Sequence, residues 1–267
     1  MTTKKKDIIL IISICVLVLF ILLAILAPVI THFDPNSIHL SEKLQLPNLI
    51  HILGTDELGR DIFSRILYGA RTTLLLGVLL TLIILFLGAI VGFLAAFYKG
   101  FIETIVTGIC TLFLALPSEM LTLMIIALIG PNFVGLVFAI VLAKLPWYVQ
   151  MIKADTEQIL ERDYVAFSHI VKRSRLWILL HHVLPNIANH LIVYATIDMS
   201  ALIISIASLS FLGLGIQAPT AEWGRMLSDA GESAVSYPWQ MIPAGLAIFL
   251  VSVTLNYIGD SIRKDRK

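Results

Sequence analysis

Two carboxylates stand inside long apolar stretches of the chain, where a charged side chain is costly to keep. Asp198 lies about eleven residues, or roughly 16 Å of helix, into the stretch that begins at Ile187. Glu119 follows Pro117, a residue type that can kink a helix. Ionisable residues at such depths usually face a cavity or a buried partner. We interpret Asp198 as cavity-facing, with a buried hydrogen bond as the alternative, and Glu119 as either cavity-facing or part of a polar turn. Both carboxylates would suit a cationic or amine-bearing ligand.

Motifs for nucleotide binding, hydrolysis and metal binding are absent from the sequence. No G-x-x-x-x-G-K-[ST] loop is present to cradle a phosphate, because no glycine is followed by lysine. H-E-x-x-H and G-x-S-x-G are absent too, and Cys15 and Cys110 lie in apolar runs without zinc-type spacing. His32, His39 and His51 could bind a metal, but scattered loop histidines are more often solvated or capping residues. We therefore predict no catalytic residue, no metal site and no cofactor bound by this chain.

The composition excludes an ordinary water-soluble globule. The 267 residues are 58% hydrophobic and 14% charged, and the mean hydropathy is +0.92. A formal net charge of +1 offers no field for nucleic acid, so we expect none as a partner. Helical spans of a bilayer need about 20 mostly apolar residues. We predict an all-α membrane protein with six transmembrane helices, at approximately Ile8–Ile30, Thr73–Tyr98, Ile105–Ile129, Phe133–Gln150, Ile187–Leu214 and Met241–Ile258.

Basic residues indicate the orientation and the organisation of these spans. If the N-terminus is cytoplasmic, most Lys and Arg residues fall on the cytoplasmic side, as the positive-inside rule requires. Both termini are then cytoplasmic, and the first span is a retained anchor rather than a cleaved signal. We expect an anchor helix plus an extracytoplasmic segment at 1–72 and a five-helix core at 73–267. A long cytoplasmic loop occupies about 153–186 of that core.

The cytoplasmic loop contains an amphipathic helix followed by a basic cluster. Tyr164, Phe167, Ile170 and Val171 recur at helical spacing and form an apolar stripe. Lys172, Arg173 and Arg175 follow immediately. Such a helix can dock into a partner's groove or lie on anionic lipid. The alternative is an ordinary interfacial helix that obeys the positive-inside rule.

Four sequence blocks resemble one family of transport proteins. They are YVAFSHIVKRSRLWILLHHVLPN at 164–186, HILGTDELGRDIFSRILYGARTTL at 51–74, SLSFLGLGIQAPTAEWGRML at 208–227 and NYIGDSIRKD at 256–265. The first is similar to the cytoplasmic coupling loop, often called the EAA loop, of ABC importer permeases. Together the blocks resemble the C-type permease subunit of dipeptide, oligopeptide and nickel importers, and the likeness extends from about Leu46 to the end.

This resemblance implies a fold, a location and partners. The fold would be that of a type I ABC importer permease in the bacterial inner membrane. A second permease would complete the path, two ATPases would use ATP and Mg, and an extracytoplasmic binding protein would deliver peptides, nickel or a metal chelate. The residues implied to contact an ATPase are Tyr164, Val165, Ala166, Phe167, Ser168, His169, Val171, Lys172, Arg173 and Arg175. Asp198 and Glu119 become candidates for the translocation path.

Two other classes of protein remain as alternatives. An ion-gradient-driven secondary transporter would use Asp198 and Glu119 as proton or cation sites. An intramembrane enzyme or respiratory subunit would need nucleophile–base pairs or paired intramembrane histidines, which the sequence lacks.

The coupling loop departs from the family pattern at two places. Ala166-Phe167-Ser168 stands where the family usually has E-A-A, and Lys172 stands where it usually has glycine. Glycine would permit a bend with positive φ, and lysine in that conformation costs about 1 kcal/mol. We expect either a reshaped bend or a continued helix, with Lys172 or Arg173 facing an acidic rim of the ATPase.

Two extracytoplasmic segments also carry predictions. His51–Arg71 is expected to hold a surface helix, with turns at Gly54 and Gly59 before it. Its apolar face would comprise Ile62, Phe63, Ile66 and Leu67, and its polar side Asp61 and Arg65. The helix would be a lid that braces the second span or, alternatively, a substrate contact. The segment at 215–240 offers candidates for docking the binding protein, or membrane anchors in the case of tryptophan: Trp223, Glu222, Asp229 and Glu232.

Overall fold

The computed structural model describes residues 3–264, and within them the chain is helical with one isolated β-bridge, Thr55 to Asp61. The side chains of residues 3–7, His169 and Lys264 lie outside this description. The helices are α1 (Thr3–Ile30), α2 (Ile62–Phe97), α3 (Phe101–Leu114), α4 (Ser118–Ile129), α5 (Phe133–Leu160), α6 (Asp163–Ile170), α7 (Arg175–Ile178), α8 (Leu184–Phe211), α9 (Trp223–Gly231) and α10 (Met241–Lys264). A π-helical turn, Leu179–Val183, joins α7 to α8.

The spans confirm the predicted all-α membrane fold. Five helical stretches of the described chain are long and apolar enough to cross a bilayer: Ile8–Ile30, Ile62–Phe97, Phe133–Leu160, Arg175–Phe211 and Pro238–Arg263. A sixth span exists if α3 and α4, which meet at an angle of 91°, are counted together. Pro117 lies in the break between them, so the kink predicted there is confirmed.

The predicted surface helix within His51–Arg71 is wrong. Its residues form the first turns of α2, which continues without a break for 36 residues to Phe97. A helix of that length measures roughly 54 Å, well beyond the roughly 30 Å of hydrocarbon. The polar residues Arg71, Thr72 and Thr73 ended the apolar run in the sequence, but polarity alone does not end a helix. For the same reason α5 continues beyond Gln150 to Leu160.

The helices gather into two compact units. One comprises the chain up to Leu79, Ile129–Leu136 and the chain from Thr196 onward; the other comprises Leu80–Leu128 and Val137–Ala195. The predicted division at residues 72 and 73 follows chain order and stays a prediction.

The core of the first unit surrounds a buried tryptophan. Trp223, at the start of α9, is 0% exposed and meets the ring of Phe20 edge-on at 5.7 Å. Gly69 leaves room for its indole, since a Cβ there would lie 2.9 Å from Trp223 Cδ1. Gly224 lets α9 approach α8, because a Cβ would lie 2.3 Å from the carbonyl oxygen of Ala207. These contacts hold α9 within the unit.

The core of the second unit depends on close approach between α2 and α5. Tyr148 is 0% exposed, and a Cβ at Gly88 would lie 2.8 Å from its Cβ. One turn further along α2, Gly92 faces Ile152 in the same way. The two glycines therefore allow the helices to pack backbone against side chain.

Candidate functional site

The helix α6 presents its apolar stripe on the surface of the chain. Tyr164 is 44% exposed, Phe167 62%, Ile170 75% and Val171 50%. The opposite face is buried, with Val165 0% and Ser168 6% exposed. A contiguous exposed apolar stripe is typical of a surface that binds a partner.

Val165 and Ser168 are placed differently from the other predicted contact residues. Their side chains lie against the chain itself, so in this structure they hold α6 rather than face outward. Ala166 is exposed, and the side chain of His169 lies outside the described residues.

His182 fastens α6 from behind. Its Nε2 lies 2.9 Å from Ser168 Oγ, and its ring meets that of Tyr164 at 5.3 Å. The Ser168 hydroxyl donates its hydrogen to the Tyr164 carbonyl oxygen. In the bond between Ser168 and His182 we therefore assign His182 Nε2 as the donor and Ser168 Oγ as the acceptor. His182 lies in the sequence block at 164–186, but no pattern in the sequence indicates this role.

Lys172 keeps the bend that the family usually builds with glycine. Its φ is +55°, which lies in the left-handed region. The backbone N–H of Arg173 donates to the carbonyl oxygen of Ser168 at 3.0 Å, closing α6 in the manner of a Schellman motif. Of the two expected outcomes, a bend and not a continued helix is present. The backbone cost is about 1 kcal/mol, because lysine has a Cβ.

Aromatic rings hold the two arginines of the basic cluster. The Arg173 guanidinium lies 4.7 Å from the ring centroid of Trp177, and that of Arg175 lies 4.3 Å from the ring centroid of Tyr98. Such cation–π contacts contribute about 0.5–1 kcal/mol at exposed sites. Both arginines and Lys172 remain exposed, so the cluster is fixed in place yet open to a partner.

A buried ion cluster joins the loop before α2 to α9. Arg60 Nε lies 2.6 Å from Asp56 Oδ2, and Arg60 Nη2 lies 2.8 Å from Asp229 Oδ2. Arg65 Nη2 lies 3.3 Å from the same Asp229 oxygen, and an Arg225 nitrogen lies 2.9 Å from the other. Arg60 and Arg65 are 4% and 1% exposed. Buried charges require such partners, so the role of the cluster is structural: it holds the loop before α2 against α9.

Arg65 and Asp61 do not form the exposed polar side that the sequence predicts. Arg65 also donates to the carbonyl oxygen of Pro35 at 3.0 Å. Asp61 is 4% exposed and caps α2 by accepting from Ser64 N at 2.7 Å. Its other oxygen lies 2.9 Å from His51 Nδ1. The expected turns at Gly54 and Gly59 are confirmed, with φ of +77° and +72°.

Glu222 and Trp223 are buried in the protein, which corrects the prediction that they are docking residues or membrane anchors. Glu222 is 0% exposed and caps α9, accepting from Gly224 N at 3.0 Å, Arg225 N at 2.8 Å and Thr73 Oγ1 at 3.2 Å. Burial raises the pKa of its carboxyl group above the ordinary value. Trp223 Nε1 donates to the Ile66 carbonyl oxygen at 3.0 Å.

The two remaining docking candidates differ from each other. Asp229 belongs to the ion cluster and is mostly covered, whereas Glu232 is exposed just beyond the end of α9. Glu232 is therefore the candidate that a docking protein could reach directly.

The candidates for the translocation path lie in different units. Asp198 is half-buried on α8, and Glu119 is exposed in the first turn of α4, where Ser118 Oγ donates to it at 2.9 Å. Glu119 is the second residue of α4, which begins directly after the break at Pro117. The roles of both residues in transport remain predictions.

Comparison with known proteins agrees with this architecture. A family model described as a binding-protein-dependent transport system inner membrane component matches residues 84–265. A second model, the N-terminal TM domain of oligopeptide transport permease C, matches residues 5–47.

Several relatives are similar over most of their length. The chain is 36% identical over 259 residues to the dipeptide transport system permease protein DppC of Alkalihalophilus pseudofirmus, covering 97% of this chain and 85% of that protein. It is 37% identical over 253 residues to the di/tripeptide transport system permease protein DppC of Pseudomonas aeruginosa, covering 92% and 84%. It is 32% identical over 231 residues to the nickel transport system permease protein NikC of Escherichia coli, covering 86% and 83%.

These matches agree with the apolar spans and the absence of a nucleotide-binding loop from the sequence. The chain belongs to the binding-protein-dependent transport system inner membrane components, and it is a multi-pass permease subunit of an ABC importer in the cell membrane.

Proposed function

We propose that this subunit and a second, related permease form the translocation path for peptides, nickel or a metal chelate. An extracytoplasmic binding protein delivers the cargo, and two ATPase subunits use ATP and Mg to drive its import. The dipeptide, di/tripeptide and nickel transport systems to which the relatives belong support peptides and nickel as cargo classes. Both termini are cytoplasmic in this proposal, as the distribution of basic residues predicts.

The outward apolar stripe of α6 carries the proposal. Phe167 and Ile170 are the most exposed side chains of the stripe, while His182 and Ser168 hold the helix from the opposite side. A helix that is anchored on one face and apolar on the other fits helix-in-groove recognition. The partner that fits is an ATPase with an apolar cleft and an acidic rim facing Lys172 and Arg173.

The same arrangement explains how movement of the ATPases is transmitted to the transmembrane helices. Closure of the ATPase pair displaces α6, and the fixed contacts of α6 pass that displacement to the helices behind it. In response, the helices alternate between an outward-open and an inward-open arrangement. Asp198 and Glu119 contribute polar groups to the path, and Glu232 contributes to docking of the binding protein.

Reconstitution in vesicles tests the proposal. The complete complex, with MgATP in the compartment that faces the ATPases, should accumulate a labelled dipeptide or nickel against its gradient when the binding protein is present. Vesicles with the two permeases alone should not. Uphill uptake without ATPases that collapses with an ion gradient would instead identify a secondary transporter.

A charge-reversal pair tests the coupling surface itself. Lys172→Glu combined with Arg173→Glu should reduce co-purification of the ATPases and uptake together. Arg162→Glu is the matched control, because Arg162 is exposed but precedes α6. Unchanged assembly and uptake in the double variant would refute the proposed contact.

A further inference from the structure

The break between α3 and α4 exposes irregular backbone in a region that should lie within the membrane. α3 is 14 residues long, so a span that begins at Phe101 reaches the break after roughly 21 Å. Residues 115–117 are exposed, and Leu116 is 46% exposed. Hydrocarbon accepts no lipid-exposed irregular backbone, because the freed carbonyl and N–H groups need partners. This surface must therefore face water or protein.

A polar face of α3 leads away from the break. Thr104, Thr107, Gly108 and Thr111 follow helical spacing and line a surface cavity of about 780 Å³. The Thr107 hydroxyl is buried and has no hydrogen-bond partner among the described residues. The Thr104 and Thr111 hydroxyls donate to the carbonyl oxygens of Gly100 and Thr107, both at 2.8 Å. Both residues are exposed, so their oxygens accept from a solute or from water in the cavity.

An ion pair lies at the other end of this face. Lys153 Nζ on α5 lies 2.8 Å from Glu103 Oε1 in the first turn of α3, and 3.4 Å from Glu157 Oε1. Lys153 and Glu103 both line the cavity. Charged groups at the edge of a span are favourable where water reaches them.

We propose that the α3 face from the Glu103–Lys153 pair to the break at Pro117 forms one wall of a water-filled cargo path. It presents hydroxyls, backbone carbonyls and one ion pair, which suit a polar solute bearing amide groups and both charges, such as a short zwitterionic peptide. This inference rests on the proposed function and adds to it a location for cargo contact that does not depend on Asp198.

Cysteine accessibility in the complete complex tests the proposal. In a Cys15→Ser, Cys110→Ser background, Thr104→Cys and Thr111→Cys are each treated with the cationic reagent MTSET, and labelling is followed by mass spectrometry. Gly108→Cys is a further position, because a Cβ there meets nothing within 4 Å. Ile109→Cys is the matched control, since Ile109 is 53% exposed on the apolar side of the same helix.

Thr104→Cys and Thr111→Cys should react at least about tenfold faster than Ile109→Cys, because the reactive thiolate forms in water and not in hydrocarbon. Labelling of Thr111→Cys should also reduce ATP-driven uptake, while exposure of Ile109→Cys to the reagent should not. Equal or slower reaction at the threonine positions and at Gly108→Cys would overturn the proposal and indicate a face covered by lipid or by another subunit. The labelling rates do not depend on which energy source drives uptake, so this outcome is separate from failure of the proposed function.

Discussion

Ser168 and His182 are separated by 14 residues in the chain, yet Oγ of the first and Nε2 of the second lie 2.9 Å apart. The bond ties the buried face of α6 to the π-helical turn that precedes α8. It therefore determines whether the apolar stripe of α6 is presented in a fixed position.

Loss of this bond should loosen α6. We expect His182→Ala to increase amide hydrogen exchange across 163–170 and to weaken ATPase binding, because a part-buried hydrogen bond contributes about 1 kcal/mol. His181→Ala is the control, since its ring stacks on Trp177 at 4.4 Å. In a double-mutant cycle, His182→Ala and Ser168→Ala should be non-additive. Additive effects would show that the two side chains act independently.

Substitutions at Lys172 should separate backbone strain from charge. Lys172→Gly should stabilise the complex by about 1 kcal/mol, because glycine adopts φ of +55° without a steric cost. Lys172→Ala removes the charge but keeps the Cβ, so its thermal midpoint should not rise. Lys172→Pro should abolish coupling, since proline fixes φ near −65°. An equal rise for alanine and glycine would assign the effect to charge.

Asp229 should be far more sensitive than its neighbour Glu232. Asp229→Asn leaves Arg60 and Arg65 with only part of their negative partners and should lower the free energy of unfolding by about 3 kcal/mol. Glu232→Gln, on an exposed side chain, should change it by less than about 0.5 kcal/mol. Thermal unfolding of the purified subunit measures both. Similar losses for the two variants would contradict the structural role assigned to the ion cluster.

Glu222 should give the stability of the protein a pH dependence of defined sign. Its pKa is raised in the folded state by burial, so the folded chain binds the proton more tightly than the unfolded chain. Its contribution is therefore fully present below the unfolded pKa and is lost as pH rises through the folded pKa. Thermal midpoints of the wild type and Glu222→Gln, measured from about pH 4 to about pH 8, should show the wild-type advantage shrinking with pH. Parallel curves would exclude this contribution.

The local features of the fold could be predicted from the sequence, because each depends on neighbouring residues. Apolar length indicates the spans, Pro117 marks the break between α3 and α4, and the glycine-type position of Lys172 marks the bend after α6. The predicted start of the second span at Thr73 was wrong because helix continuity depends on backbone hydrogen bonds, which Arg71 and Thr72 do not interrupt.

The buried ion cluster could not be predicted in the same way. Arg60 and Asp229 are 169 residues apart, and neither has a pattern that indicates the other. Glu222 and Trp223 look like surface residues in a polar segment. Their burial depends on the close approach of Gly224 to Ala207 and on the room that Gly69 leaves for the indole. Contacts between residues that are far apart in the sequence therefore determine which charged residues are buried and which stay exposed.

The bend at Lys172 has a practical consequence for following assembly. Lys172 and Arg173 are adjacent, exposed and located between two short helices, which is the kind of site that trypsin cleaves first. A bound ATPase would shield that peptide bond. Limited digestion followed by a gel therefore provides a footprint of the engaged complex, without labels and without a transport assay.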